Sequence, residues 1–367
     1  PPMNRSETLA RVGSMQQLAY VRSVRHEDGR AAGMRVIEMK NGPLRLAAMA
    51  DKALDVAELE YSGTILSFTS KPGLGGRNPF DTHGLEAQRS IMGGLFFTCG
   101  FENIGAPWAD AEGREYPMHG RIRTSPAEHV GYDAAWEGED YVLSVSGEVR
   151  EAELFGENLL LRRRLRTRSG EAALEVTDEI INEGFRDEPM MLMYHCNVGW
   201  PLLAPGAEIV IPSLEAEPRN ETTAADTTPW SSVEEPRPGI EESVYIHTPA
   251  AADDGSTFAA VVNDELGLAL VVEFSARELP YLMEWKSMAS GDYVVGLEPA
   301  NSSVHGRGYH EQRGDLHHLP AQASETKHLR FTVLNAPEDI SALRRRRDDL
   351  LASARRARGG ADRLALP

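Results

Sequence analysis

The chain has 367 residues, of which 41% are hydrophobic and 26% charged, and its 56 acidic against 38 basic side chains give a formal net charge of -18. That balance excludes a nucleic-acid backbone as the main partner, because such binding needs clustered Lys and Arg. No apolar run reaches the ~18 residues that would suggest a membrane span. The length suits one large all-β domain or two smaller ones, and a small neutral ligand suits the charge.

Pro1 and Pro2 before Met3 read as a cloning remnant and stay outside the fold argument. Residues 1–32 are expected to form an N-terminal segment packed on the main domain, with a short helix over 6–21 opened by Ser6. The start lacks the charged-then-apolar order of a signal peptide. Cys99 and Cys196 both lie in apolar stretches, so a disulfide framework is not expected and the reducing cytoplasm is.

Strand signals take over from Gly33. MRVIEMK at 34–40 and PLRLAAMA at 43–50 flank Asn41-Gly42, a hairpin signal. Further strands are expected at 54–60, 64–69, 141–150, 158–167, 172–182, 207–211, 258–263, 267–274, 292–298 and 327–334. So many strands with turn-like separators, and hardly any long helical period, read as an all-β sandwich of large sheets over 33–336. Residues 73–100, rich in glycine, are too long for a hairpin and are expected to cross one sheet as an irregular excursion. Residues 213–243, rich in Pro, Glu, Thr and Asp, read as an exposed loop rather than a domain linker, and whether it is a lid is left open. Over 337–367 the spacing of Ile340, Leu343, Leu350 and Leu351 predicts an amphipathic C-terminal helix, stopped by Gly359-Gly360 and followed by a tail. The arginines at 344–347, followed by Asp348 and Asp349, read as a solvated helix face.

Two stretches carry candidate chemistry. The apolar run 293–297 leads into Glu298 and then Pro299, so the strand is expected to stop there and present a partly desolvated carboxylate, a candidate general base. The run 190–194 delivers His195 and Asn197 in the same way. The competing readings are a surface carboxylate paired with a base and a hydrogen-bonded core histidine. His119 lies in YPMHGR, where Gly120 leaves room for a ligand and Pro117 fixes the approach. Lys286 in MEWKS and Arg307 in VHGRG are donors able to bind sugar hydroxyls, and Trp285 offers an apolar face for a pyranose ring. Gly73, Gly75 and Gly76 lack the Lys-Ser or Lys-Thr of a phosphate loop, and no Cys-x-x-Cys or His-Glu-x-x-His occurs. His317 and His318 are adjacent, so on a strand they point to opposite faces. His119, His195 and Glu298 can also be read as metal ligands; acid/base use is the reading adopted, with no metal.

In this order, MHGRIRTSPAE, YHCNVGWPLL and VVGLEPANSSVHGR resemble the aldose 1-epimerase (galactose mutarotase-like) superfamily, in its DUF4432-type branch. Comparable stretches are DKALDV at 51–56 and GGLFFTCGFENIG at 93–105, so the resemblance spans roughly residues 33–333. It implies a β-supersandwich with a sugar cleft across one large sheet. It also implies Glu298 as general base, His195 as general acid, and His119 as a second histidine on the ring oxygen or a hydroxyl. Asn197, Trp285, Lys286 and Arg307 would bind substrate, and Lys52 and Arg77 would add local positive charge. Cys196-Asn197-Val198 departs from the aromatic-Asn-Leu of the galactose mutarotases, and Lys52-Ala53 stands where the branch has Arg-Gly. The implied activity is interconversion of sugar anomers by ring opening and reclosure, without a cofactor. Epimerisation at another carbon, action on a keto sugar, and sugar binding without turnover remain alternatives. The expected partner is a small-molecule sugar, with no nucleic acid and no membrane; the oligomeric state, homo-oligomer included, is left open.

Overall fold

A computed structural model describes residues 4–76 and 83–364. Two antiparallel sheets dominate. The larger has 11 strands, ordered Tyr20–Arg25, Arg35–Lys40, Leu44–Met49, Asp55–Tyr61, Phe96–Phe101, Met191–Val198, Asp292–Ala300, Tyr281–Ala289, Ser243–Pro249 and Ser213–Pro218, with Thr64–Ile65 added on Asp55–Tyr61. The smaller has 8, ordered Glu128–Glu137, Asp140–Ala152, Asn158–Arg168, Ala173–Asn182, Ser324–Leu334, Leu268–Ser275, Ser256–Asn263 and Glu208–Val210. Among the described residues no helix is long and apolar enough to cross a membrane.

Alternation along the strands sets the layers, because successive side chains leave opposite faces of a sheet. On Met191–Val198, the side chains of Tyr194, Cys196 and Val198 enter the space between the sheets, where they join Phe96 and Leu297 and meet Val145, Leu161, Leu270 and Phe331 of the smaller sheet. Phe96 stacks on Phe331 there, with ring centroids 5.6 Å apart. Met193 points the other way, into a second apolar cluster with Phe97, Cys99, Met283 and Val304 on the outer face of the larger sheet. Cys99 and Cys196 thus belong to different clusters, and both thiols are free and buried.

One set of charges is sealed between the sheets. Arg163 makes a two-pronged bond to Asp178, at 2.9 and 2.6 Å, and a 2.6 Å bond to Asp55 Oδ1. It also donates to the Ala53 carbonyl and to Thr98 Oγ1, while the Tyr194 hydroxyl donates to Asp178 at 2.7 Å. A buried guanidinium is tolerated when its fork meets acceptors on every side.

The all-β sandwich stands as expected, and so does the C-terminal helix, although it spans Pro337–Leu364 and runs on through Gly359-Gly360, where it was expected to stop. Ile340, Leu343 and Leu350 pack on Phe258, Ala260 and Val271 of the smaller sheet. The arginine run is less solvated than its charge suggests, since Arg344 and Arg347 pair with Glu208 and Arg346 with Glu273. The Asn41-Gly42 hairpin is present, with Gly42 at a φ of 113°. Asn41 also ties the two sheets, donating to Thr167 Oγ1 and to the carbonyls of Arg168 and Glu171.

Three readings change. The helix over 6–21 is only Arg5–Leu9, capped by Asn4 with Glu7 in a reciprocal capping box; Gly13 follows, and by Tyr20 the chain is already a strand. The excursion 73–100 ends in a fully buried strand, Phe96–Phe101, in the middle of the larger sheet. The exposed loop 213–243 begins with the edge strand Ser213–Pro218 and a short helix, Glu221–Ala225.

Candidate active site

The site sits on the outer face of the larger sheet, over its central strands. Cys196 pairs with Leu297 and Asn197 with Gly296, a register that sets His195 opposite Glu298. Glu298 is therefore not at a strand end: Asp292–Ala300 runs on past Pro299, and Ala300 pairs with Met193 and Tyr281. Pro299 has no N–H to donate. The ladder to Met191–Val198 shows no pairing between Met193–Ala300 and Cys196–Leu297, so the interruption falls at the site. Glu298 Oε1 lies 3.0 Å from His195 Nε2 without hydrogen-bond alignment, and both side chains are buried.

The neighbours of His195 fix its tautomer. The Asn197 amide nitrogen donates to the carbonyls of Gly94 and His195, so its Oδ1 must accept. That oxygen lies 2.7 Å from His195 Nδ1, which must then carry the hydrogen and leave Nε2 bare toward Glu298. Phe97 stacks on the imidazole at 4.4 Å and holds its plane. His119 stands edge-on to it at 5.6 Å.

His119 is fixed by backbone. Its Nδ1 accepts the Gly105 N–H at 3.3 Å, which leaves the Nε2–H as a donor. The turn requires left-handed backbone at His119 (φ 59°) and Gly120 (φ 70°). At Gly120 a Cβ would stand 1.8 Å from the Gly100 carbonyl oxygen, so only glycine fits.

Burial raises Glu298 from its ordinary value of 4.5 to about 8, with Glu242 adding to the rise and Arg219 opposing it. Burial likewise lowers His195 from 6.5 to about 4, against the hydrogen bond it donates to Asn197. His119 is held well below its ordinary value by burial, then by His195 and Arg123. At neutral pH the Glu298–His195 pair thus holds one proton, on the carboxyl, facing a bare imidazole nitrogen.

The pair lies in a cleft of about 560 Å³ that His119, Asn197 and Trp285 also line. Trp285 donates its indole N–H to Glu242 at 2.7 Å, and Glu242 pairs with Arg219 at 3.0 Å. Lys286, one residue on, leaves the opposite face of the sheet and binds Glu234 and the Pro229 carbonyl. Arg307 bonds Glu311 and the Glu102 carbonyl and lies over the Tyr116 ring, outside the cleft lining. Lys52 is buried behind the wall, its Nζ donating to the Ser90 carbonyl. Burial, then Arg123, lowers it to about 8. Arg77 lies outside the described residues.

Sequence reasoning missed Phe97, Arg219, Glu242, Lys71 and Asp292, all of which line the cleft. Lys71 pairs with Asp292, so the lining cations among the described residues, Lys71 and Arg219, are both neutralised. Only Phe97 had a usable signal, the apolar run around Cys99. Arg219 and Glu242 belong to the segment read as an exposed loop, where a charged residue looks like any other.

Solved structures share this architecture. A candidate aldose 1-epimerase from Klebsiella pneumoniae subsp. pneumoniae MGH 78578 superposes with a TM-score of 0.84 at 22% identity, over 91% of this chain and 92% of that one. A galactose mutarotase-like protein from Clostridium acetobutylicum gives 0.59 at 14% identity, over 87% and 100%. Galactose 1-epimerase from Lactobacillus acidophilus NCFM gives 0.56 at 11%, over 86% and 98%. At such identities the likeness shows the fold, which is galactose mutarotase-like. No protein with a curated description matches. The sequence profile described as "Domain of unknown function (DUF4432)" matches residues 31–333, most of the chain, and the protein belongs to that family.

Proposed function

We propose that this protein is an aldose 1-epimerase-like enzyme that interconverts the anomers of an uncharged reducing sugar. The observation that carries the reading is the Glu298–His195 pair, 3.0 Å apart and buried in the floor of a cleft large enough for a sugar. Burial leaves a single proton to be shared between a carboxyl and an imidazole, which is what a combined acid and base require. The paired charges of the lining favour a neutral ligand.

The chemistry begins when the shared proton moves from Glu298 to His195 Nε2, giving carboxylate and imidazolium. Glu298 then takes the proton of the anomeric hydroxyl as His195 gives its Nε2 proton to the ring oxygen. The bond from C1 to the ring oxygen breaks and C1 becomes a carbonyl. Rotation about the C1–C2 bond and the reverse steps close the ring on the other face, and the proton count is restored. His119, through its Nε2–H, steadies the ring oxygen or a neighbouring hydroxyl, and Trp285 packs on the ring. Neither a metal nor an organic cofactor is required by these steps, because the reaction proceeds unaided in water and needs only positioned proton transfer.

Anomer exchange measured by NMR on a panel of aldoses and ketoses tests the reading. The native chain should accelerate exchange for at least one sugar, and Glu298→Gln and His195→Asn should each lower the rate by ~100- to 10,000-fold. A broad panel with no acceleration, or exchange unaffected by either substitution, overturns it. Carbon-resolved spectra show inversion elsewhere if the chemistry falls at another carbon.

A further inference from the structure

A second groove, of about 410 Å³, is lined by residues that neighbour the cleft lining in sequence. Gly105 and Ala106 line the cleft, and Pro107, Trp108 and Ala109, which follow directly, line the groove. Gly105 is also the residue whose N–H holds His119. From there to Trp108 is at most about 10 Å of extended chain. A second stretch is divided in the same way: His83 and Gly84 line the groove, and Gln88 and Ile91 line the cleft. Two stretches of chain thus run from the lining of the cleft that holds Glu298 and His195 to the lining of the groove.

The surface of the groove is aromatic and fixed in place. Trp108 stacks on Tyr116 with centroids 5.3 Å apart and planes inclined by 25°. The two residues are paired across a short two-stranded ribbon. Arg307 lies 4.4 Å over the Tyr116 ring, and Gly308 lies so close to the indole that a Cβ there would stand 2.6 Å from Trp108 Nε1. Glu115 and His83, 3.2 Å apart, edge the groove with polar atoms. An apolar flat face beside polar edges matches a pyranose ring, whose C–H faces are apolar and whose hydroxyls radiate from its rim.

We propose that this groove is a second sugar subsite and that the substrate is a reducing disaccharide or longer oligosaccharide. The inference rests on the anomer-exchange reading above. The reducing-end ring occupies the cleft with its anomeric carbon at Glu298 and His195, and the next ring lies on Trp108. The extension must leave from a carbon other than C1, because an anomeric oxygen tied up in a glycosidic bond has no proton to give and the ring cannot open. This gives Arg307 a place in recognition without contact: it backs the aromatic stack.

The test compares kcat/KM for anomer exchange on maltose, cellobiose and lactose with that on glucose and galactose, for the native chain, Trp108→Ala, Trp108→Phe and Gly308→Ala. At least one disaccharide should exceed its monosaccharide by about 10-fold or more. Trp108→Ala and Gly308→Ala should lower that ratio toward one, while Trp108→Phe, which keeps an aromatic face, retains most of it. A ratio near one in the native chain, or a ratio that no substitution moves, overturns the subsite while leaving the anomer-exchange reading standing. Calorimetric binding of the same sugars to Glu298→Gln separates the two ideas. Disaccharide binding that Trp108→Ala abolishes, with no turnover by the native chain, supports the subsite and sinks the enzyme. Equal binding of mono- and disaccharides sinks the subsite.

Discussion

Tyr194 and His195 are neighbours in sequence, yet they serve opposite faces of the larger sheet, and the buried charges on those faces are treated differently. Behind the sheet, Tyr194 joins Arg163, Asp55 and Asp178 in a network whose hydrogen bonds are matched, the guanidinium reaching both carboxylates, a hydroxyl and a carbonyl. In front of it, His195 faces Glu298, whose Oε1 is buried without a hydrogen-bond partner among the described residues. Sheet geometry makes the separation sharp, because a single step along a strand changes faces. The difference teaches which unmatched polarity is open to a ligand. Between the sheets Glu284 Oε1 is also buried without a partner among the described residues but lies outside the cleft lining, whereas Glu298 lines the cleft, where on the proposed reading a substrate hydroxyl supplies the missing bond.

The largest expected effect comes from breaking the matched side. Arg163→Met leaves Asp55 and Asp178 buried without their cation, and removing one partner of a buried ion pair typically costs ~3–5 kcal/mol. Urea denaturation at neutral pH should show a loss of that order. A loss below about 1 kcal/mol would mean that the network is not the matched half of the comparison.

On the unmatched side the sign reverses. Folded Glu298 holds its proton up to about 8, whereas an unfolded glutamate releases it near 4.5. Between those values the unfolded state is the one favoured by ionisation, so native stability falls as pH rises from 4.5 and levels off above about 8. Glu298→Gln removes this penalty. It should stabilise the fold by about 3 kcal/mol near neutral pH, with the gain fading as pH falls to the ordinary carboxylate value. Paired melts across that range check it; a stability gain independent of pH would break the argument. The same substitution should abolish exchange, setting stability against activity at one residue.

A smaller effect is read from the rate. In the proposed mechanism the pair works only when it holds one proton, so kcat/KM, corrected for the uncatalysed reaction, should follow a bell with limbs at about 4, where His195 protonates, and about 8, where Glu298 ionises. The limbs belong to the pair rather than to either residue. A monotonic profile would remove the shared proton from the mechanism.

The two faces were also unequally legible in the sequence. Strands with clean alternation, such as Asn158–Arg168 and Ala173–Asn182, stood out to within a residue or two. Tyr281–Ala289 did not, because Glu284 and Lys286 interrupt its apolar run even though both are buried; Glu284 pairs with His247 on the inner face. Glu128–Glu137 was invisible for the opposite reason, being an exposed edge strand with little apolar pattern. At the site, His119, His195, Asn197, Trp285 and Glu298 were singled out from short-range context, and the structure brings them together in one cleft. Lys286 and Arg307 were singled out on charge alone, and charge does not say which face of a strand or helix a side chain leaves. Arg219 and Glu242 meet Trp285 only through the pairing of distant strands, which no local window contains.

The finest test bears on Asn197, which on the proposed reading acts through its contact with His195. Its Oδ1 holds the hydrogen of the imidazole on Nδ1, so Nε2 stays bare toward Glu298. Asn197→Leu frees the ring to take the other tautomer and should lower kcat/KM by about 10- to 100-fold, the usual cost of losing the partner that orients a working histidine. A plain packing role predicts a loss of stability with the pH profile unmoved. Asn197→Asp separates the two. It keeps an acceptor at the same place but adds a negative charge beside Nδ1, which favours imidazolium and should carry the acid limb upward from about 4. If Asn197→Asp folds and turns over sugar with that limb unmoved, His195 is not the group that titrates there, and the contrast between the two faces no longer explains catalysis.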